Sequence, residues 1–239
     1  ITNGSFCSIN IDVLNIPDSV EMIGGGTFSG GFINAINIGT SNYQGGPKLT
    51  IQSGSFLFIN HTQSITFGNS IKEIGDGAFY NLTSLIYLDL GNSVQSIGKS
   101  FTNTKIQQLV IPASVNHITP DTFSGSNRLK YLSIGEGGSA ESANLEVVSL
   151  FNGANYSSLE AIVLGHSVVS AEASFASLPA LKNLIISDSI TSIKSSFSGT
   201  QLEALFIPNS VTSITSSFND NPALKMVRIG TKGYQGEPV

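Results

Sequence analysis

A block of about 22 residues recurs from one end of this chain to the other. Each block ends in a strand-like Leu-x-Ile or Leu-x-Leu, continues as Pro/Gly-x-Ser-Val-x-x-Ile, and then reaches a Phe. Self-similarity at this period means a solenoid, because one such unit cannot bury its own apolar edge and must stack on a neighbour. The strand-end position is occupied by Ile16, Ile38, Phe67, Leu90, Ile111, Ile134, Leu164, Ile186, Ile207 and Ile229, in steps of 22, 29, 23, 21, 23, 30, 22, 21 and 22 residues. About ten rungs therefore cover residues 1–239 as one elongated domain, with no linker or composition break.

The steps themselves repeat. The two long ones follow Ile38 and Ile134, and Ile38, Ile134 and Ile229 are one position in three copies, 96 and 95 residues apart. A four-rung super-repeat of about 96 residues follows, so the long rungs are a regular feature. Ile1 stands five residues before Phe6, as Ile23 does before Phe28, so the chain is expected to open within a rung. At the other end, Ile229-Gly-Thr-Lys-Gly-Tyr-Gln-Gly-Glu-Pro238 matches Ile38-Gly-Thr-Ser-Asn-Tyr-Gln-Gly-Gly-Pro47 at seven of ten positions, and the chain then stops within a rung. The expectation is a piece of a longer array whose open end rungs allow end-to-end self-association.

Alternation explains a single rung. In Leu202-Glu-Ala-Leu205-Phe-Ile207-Pro208 the first, fourth and sixth residues face one core while those between face out, as period-two geometry requires. Proline at 17, 112 and 208 ends the strand because it has no N–H for the ladder. Ser-Val or Ser-Ile at 19, 70, 93, 114, 167, 189 and 210 starts a second short extended segment. Phe fills one column at 6, 28, 56, 79, 101, 123, 151, 175, 197 and 218, which predicts a stacked aromatic spine. Each buried Phe contributes on the order of 1.5–3 kcal/mol.

The pattern Leu-x-x-Leu-x-Ile-Pro-x-Ser-Val-x-x-Ile-x-x-x-x-Phe resembles the BspA-type leucine-rich repeat. It is nearly intact at Leu14-Asn-Ile-Pro-Asp-Ser-Val-Glu-Met-Ile-Gly-Gly-Gly-Thr-Phe28 and at Ile111-Pro-Ala-Ser-Val-Asn-His-Ile-Thr-Pro-Asp-Thr-Phe123. The resemblance implies a right-handed, β-rich leucine-rich-repeat solenoid with a parallel β-sheet on one face. It also implies cell-surface or secreted placement and a role in adhesion or protein recognition. The family's Gly-x-x-Ala-Phe-x-x-Cys turn survives only as Gly75-Asp-Gly-Ala-Phe79, without its cysteine, and some turns, such as Ile193-Lys-Ser-Ser-Phe197, are one residue shorter.

Stacking puts equivalent residues about 4.8 Å apart, so outward side chains are read down columns. One column runs Asn15, Asn37, Thr66, Asp89, Val110, Ser133, Val163, Ile185, Phe206, Arg228, and its Val163, Ile185 and Phe206 form an apolar stripe suited to a partner. The alternative is plain cross-strand packing. The next column holds Val13, Ala35, Ser64, Tyr87, Gln108, Tyr131, Ala161, Asn183, Ala204 and Met226. Tyr87 and Tyr131 suit a protein or a sugar, and Met226 extends the apolar face. Beyond lie Lys130, Glu160, Lys182, Glu203 and Lys225, an alternating charge ladder. The long-rung segments with Tyr43 and Tyr234 are candidate edge loops, placed where solenoids carry binding insertions.

Chemistry is sparse. Only 11% of residues are charged and the net charge is −5, a composition without the basic footprint of a nucleic-acid binder. There is no run of 18 apolar residues, so no membrane insertion by this segment is expected. Cys7 is the only cysteine; it excludes an internal disulfide and is expected to be buried beside Phe6. His61, His117 and His166 lie in different rungs without paired ligand spacing, and no acidic cluster forms in the strand columns, so neither a metal or other cofactor nor a catalytic site is expected. Gly24-Gly-Gly-Thr-Phe28 lacks the lysine of a phosphate loop. Asn3, Asn60, Asn81 and Asn155 meet the acceptor rule for N-glycosylation. The expected function is a non-enzymatic, adhesin-like module for an extracellular or host protein; the alternatives are a structural spacer presenting another domain and a glycan-binding module.

Overall fold

The computed structural model describes residues 1–138, 143–151 and 156–231. Two stacks of short parallel strands enclose one core. The first face carries β1 (Asn10–Ile16), β3 (Phe32–Ile38), β5 (Ser64–Phe67), β7 (Tyr87–Asp89), β9 (Gln108–Pro112), β11 (Tyr131–Glu136), β13 (Ala161–Leu164), β15 (Asn183–Ile186), β17 (Ala204–Pro208) and β19 (Met226–Thr231). The second carries β2 (Met22–Ile23), β4 (Leu49–Ile51), β6 (Ile71–Ile74), β8 (Ser96–Ile97), β10 (His117–Ile118), β12 (Leu145–Val148), β14 (Val168–Glu172), β16 (Ser192–Lys194) and β18 (Ser213–Thr215). Every recorded pairing is parallel and joins strands one rung apart, giving a β-solenoid of about nine turns with no α-helix among the described residues.

Within each ladder the expected columns are the observed register. Asn15 pairs with Asn37, Asn37 with Thr66, Thr66 with Asp89, Val110 with Ser133, Ser133 with Val163, Val163 with Ile185, and Phe206 with Arg228. Inward positions such as Ile36, Ile65, Leu109, Leu132 and Ile162 form one continuous core along the axis. The Phe spine is complete: each ring from Phe6 to Phe218 stacks on the next, with centroids 4.7–6.0 Å apart. Offset stacking of this kind adds to the burial term.

A buried hydroxyl column runs beside the spine. Thr27, Ser55, Ser100, Thr122, Ser174 and Ser196 each precede a spine Phe and are fully buried. Their hydroxyls donate to turn carbonyls, Ser55 to Gln52 at 2.6 Å and Ser196 to Lys194 at 2.9 Å. In the C-terminal rungs the same oxygens also accept from the preceding rung, with the Ser174 N–H donating to Ser196 Oγ at 3.3 Å and the Ser196 N–H to Ser217 Oγ at 3.2 Å. Backbone groups left over by the turns are thereby satisfied inside the core.

The ladders are interrupted at defined places. On the first face β7 and β9 do not pair, nor do β15 and β17. These are the two steps of 21 residues, Leu90 to Ile111 and Ile186 to Ile207. In ordinary rungs two successive amides share one carbonyl of the rung before: Lys130 and Tyr131 donate to Gln107 at 2.8 and 3.1 Å, and Lys182 and Asn183 to Glu160 at 3.0 and 3.2 Å. Where a residue is missing, the bridging amide is instead Lys105 on Leu85 at 2.8 Å, or Gln201 on Leu181 at 2.9 Å. The core shows through at both breaks. Leu88 and Leu184 are 7% and 8% exposed, whereas Leu109 and Leu132 are wholly covered.

Cys7 departs from expectation. It is exposed, with its Sγ directed to the Gly26 carbonyl at 3.1 Å, beside Phe6, whose ring is also exposed.

Candidate functional site

The outward stripe is not one continuous apolar surface. Val163 is only 4% exposed. Its column neighbour Ser133 is also buried and donates to the Glu136 carboxylate at 2.6 Å, which the bulge between Ile134 and Glu136 brings back over the sheet. Ile185 is half-buried. Phe206 lies across the second ladder break from Ile185, exposed, with the Arg228 guanidinium 6.0 Å from its ring centroid. Met226, one rung on, is exposed beside it. The structure therefore separates Val163 from the exposed pair Phe206 and Met226.

The charge ladder is made at two of its steps, Lys130 to Glu160 at 4.0 Å and Lys225 to Glu203 at 3.0 Å. Both are exposed pairs, each contributing about 0–1 kcal/mol. Tyr131 is half-buried and separated from Tyr87 by Gln108 in the same column. On the first edge loop Tyr43 is half-buried. Tyr234 lies outside the described residues.

That loop is pinned where it leaves the sheet. Gly39 adopts φ 73°, as Gly135 and Gly230 do at the equivalent positions with φ 74° and 80°. A Cβ at Gly39 would lie 2.3 Å from Ser70 Oγ and 2.7 Å from Asp18 Oδ1, so both conformation and space require glycine. Asp18 accepts from the Thr40 N–H at 3.0 Å and from the Thr40 hydroxyl at 2.6 Å. Its slight burial works to raise the carboxyl pKa, but the hydrogen bonds from Thr40 outweigh it and hold the value below that of an ordinary aspartate.

Tyr87 has the most developed surroundings among the predicted residues. It lines a groove of about 560 Å³ at the first ladder break. Ile86, Tyr87, Leu88 and Asp89 form one wall, Lys105, Gln107, Gln108 and Val110 the other, and Arg128 reaches in from the following rung. Ile86, Tyr87 and Val110 are 59%, 55% and 48% exposed, so three large apolar side chains meet water within one concavity. The column reading missed Ile86, Lys105 and Arg128. The available signal was the 21-residue step together with Ile86, an apolar residue in the column that holds Lys130 and Glu160 further on.

Among the described residues no group of three or more His, Cys, Asp or Glu is arranged to hold a metal ion, and no helix is long and apolar enough to cross a membrane. His61 packs against Phe32, and His166 lies 3.3 Å from Asp188.

With this geometry in view, a family model described as BspA type leucine-rich repeat region matches six copies over residues 1–130 and 148–234. The chain belongs to the BspA-type leucine-rich-repeat family. The solenoid of this BspA-type chain is similar to a leucine-rich repeat protein of Bacteroides ovatus, with TM-score 0.59 and 20% identity over 92% of this chain and 64% of that one. The pneumococcal vaccine antigen PcpA matches with TM-score 0.49 and 20% identity, over 92% of this chain and 62% of that one. A leucine-rich cell surface protein of Faecalibacterium prausnitzii matches with TM-score 0.36 and 21% identity, over 95% and 80%. The chain spans less than two thirds of the first two. No curated protein matches it.

Proposed function

We propose that this BspA-type solenoid is a non-enzymatic recognition module of a cell-surface or secreted protein, and that it binds an extracellular protein through the outward side of its first face. The observation that carries the reading is the groove at the β7–β9 break, where Ile86, Tyr87 and Val110 are exposed together on a rigid frame. Large apolar side chains in a concavity with a polar rim match the centre of protein interfaces, where few residues supply most of the affinity. Membership of a family of leucine-rich-repeat surface proteins supports the same reading. Phe206 and Met226 add a second contact point, and two spaced contacts on one rigid array strengthen each other by multivalency.

The test is saturable binding of the chain to immobilised matrix and serum proteins, with a carbohydrate array beside them. Tyr87→Ser and Val110→Ser are each expected to weaken protein capture at least about tenfold, the scale of an interface anchor, with the melting temperature nearly unchanged. Retention on carbohydrate alone, lost in Tyr87→Ser, would move the function to glycan binding. A folded chain that binds nothing in either panel would make it a spacer.

A further inference from the structure

We propose that the groove at the β7–β9 break takes an acidic, apolar peptide segment of a partner protein, with a carboxylate held between Lys105 and Arg128 and the adjoining side chain laid on Ile86, Tyr87 and Val110; this rests on the protein-binding reading above. The decisive observation is how cations are distributed on a chain of net charge −5. Lys48, Lys99, Lys130, Lys194 and Lys225 each sit against a carboxylate. Arg228 sits over the Phe206 ring. Among the described residues Lys72, Lys182, Lys105 and Arg128 form no ion pair, and of these four Lys105 and Arg128 line one groove together, from successive rungs.

Among the described residues Asp89 is the one carboxylate lining this groove, and its Oδ1 accepts from the Gly91 N–H at 2.9 Å, within its own turn. Two cations against one occupied acid leave a local positive excess, which is complementary to a carboxylate and opposite in sign to the protein as a whole. The guanidinium adds a planar fork suited to bidentate contact with a carboxylate. The apolar wall decides between peptide and acidic sugar. A sugar ring stacks on a flat aromatic face, and here Tyr87 is flanked by two branched aliphatic side chains, which suit Leu, Ile or Phe of a peptide. The groove's volume of about 560 Å³ falls in the range of ligand sites and fits a short extended segment.

The experiment titrates the full chain with an acetylated, amidated heptapeptide alternating Glu and Leu, with the same peptide carrying Gln for Glu, and with trigalacturonate. The Glu peptide is expected to bind saturably, about tenfold more tightly than its Gln counterpart, since a hydrogen bond to a charged group is worth about 1.5 kcal/mol or more. Lys105→Glu and Arg128→Glu should each abolish that preference while leaving the melting temperature in place, and Lys72→Glu, remote from the groove, should leave it intact. Equal binding of both peptides, or a preference that survives Lys105→Glu and Arg128→Glu, would overturn the acidic assignment. Tighter binding of trigalacturonate than of the peptide, lost in the same variants, would overturn the peptide. Proteins captured through Tyr87 and Val110 with an affinity indifferent to Lys105→Glu and Arg128→Glu would sink this inference alone, whereas no capture of any protein would sink the broader reading with it.

Discussion

At the scale of single residues, the turns reveal where the chain is strained. The position two before the spine Phe is left-handed in most rungs, and Gly4, Gly26, Gly54 and Gly77 fill it in the early ones. In the later, shorter turns Ser149, Ala173, Ser195 and Ser216 take φ of 47–53° there, and the spine residues Phe151, Phe175, Phe197 and Phe218 are left-handed too. A non-glycine residue in this region costs about 1–2 kcal/mol. Ala173→Gly is therefore expected to raise stability by about 1 kcal/mol, less the extra entropy glycine has in the unfolded chain, and a urea melt of the variant measures it. An unchanged or lower midpoint would show that the turn holds no such strain.

At the scale of elements, the ladder breaks set local stability. β11 and β13 are paired on both sides, whereas β9 and β17 are each paired on one. Opening free energy follows local hydrogen bonding and burial, so amides of β9 and β17 should exchange with deuterium faster than those of β11 and β13. Uniform protection along the first face would contradict this. The breaks also explain why the groove forms where it does. A continuous ladder would bring Gln108 and Val110 up against Tyr87 and Asp89; the shorter rung leaves space between them. Much of this was legible beforehand, since the 21-residue steps are visible in the spacing. Its consequence was not, because a missing residue can be absorbed in a turn as easily as in a sheet.

Over the whole molecule, stability is a sum over neighbouring rungs. Phe101 is fully buried between Phe79 and Phe123, while Phe6 has one ring partner and an exposed edge. Phe101→Ala is expected to destabilise by about 3–5 kcal/mol, as truncation of a packed core aromatic does. Phe6→Ala should have a much smaller effect, since that rung already meets water. Calorimetric melting of both variants tests this, and equal losses would show that the array unfolds without regard to position.

The amino-acid sequence by itself determined the solenoid, the Phe spine and the strand register within each ladder. In a stack every equivalent residue meets the same neighbours, so spacing alone dictates which side chains touch. The tertiary structure decided what breaks the period: the burial of Val163, the Arg228 cover on Phe206, and the meeting of Tyr87 with Lys105 and Arg128 across 41 residues of chain. Those outcomes depend on how a rung of unusual length sits on the one before it. That is a property of two rungs together, which the spacing within one rung does not specify.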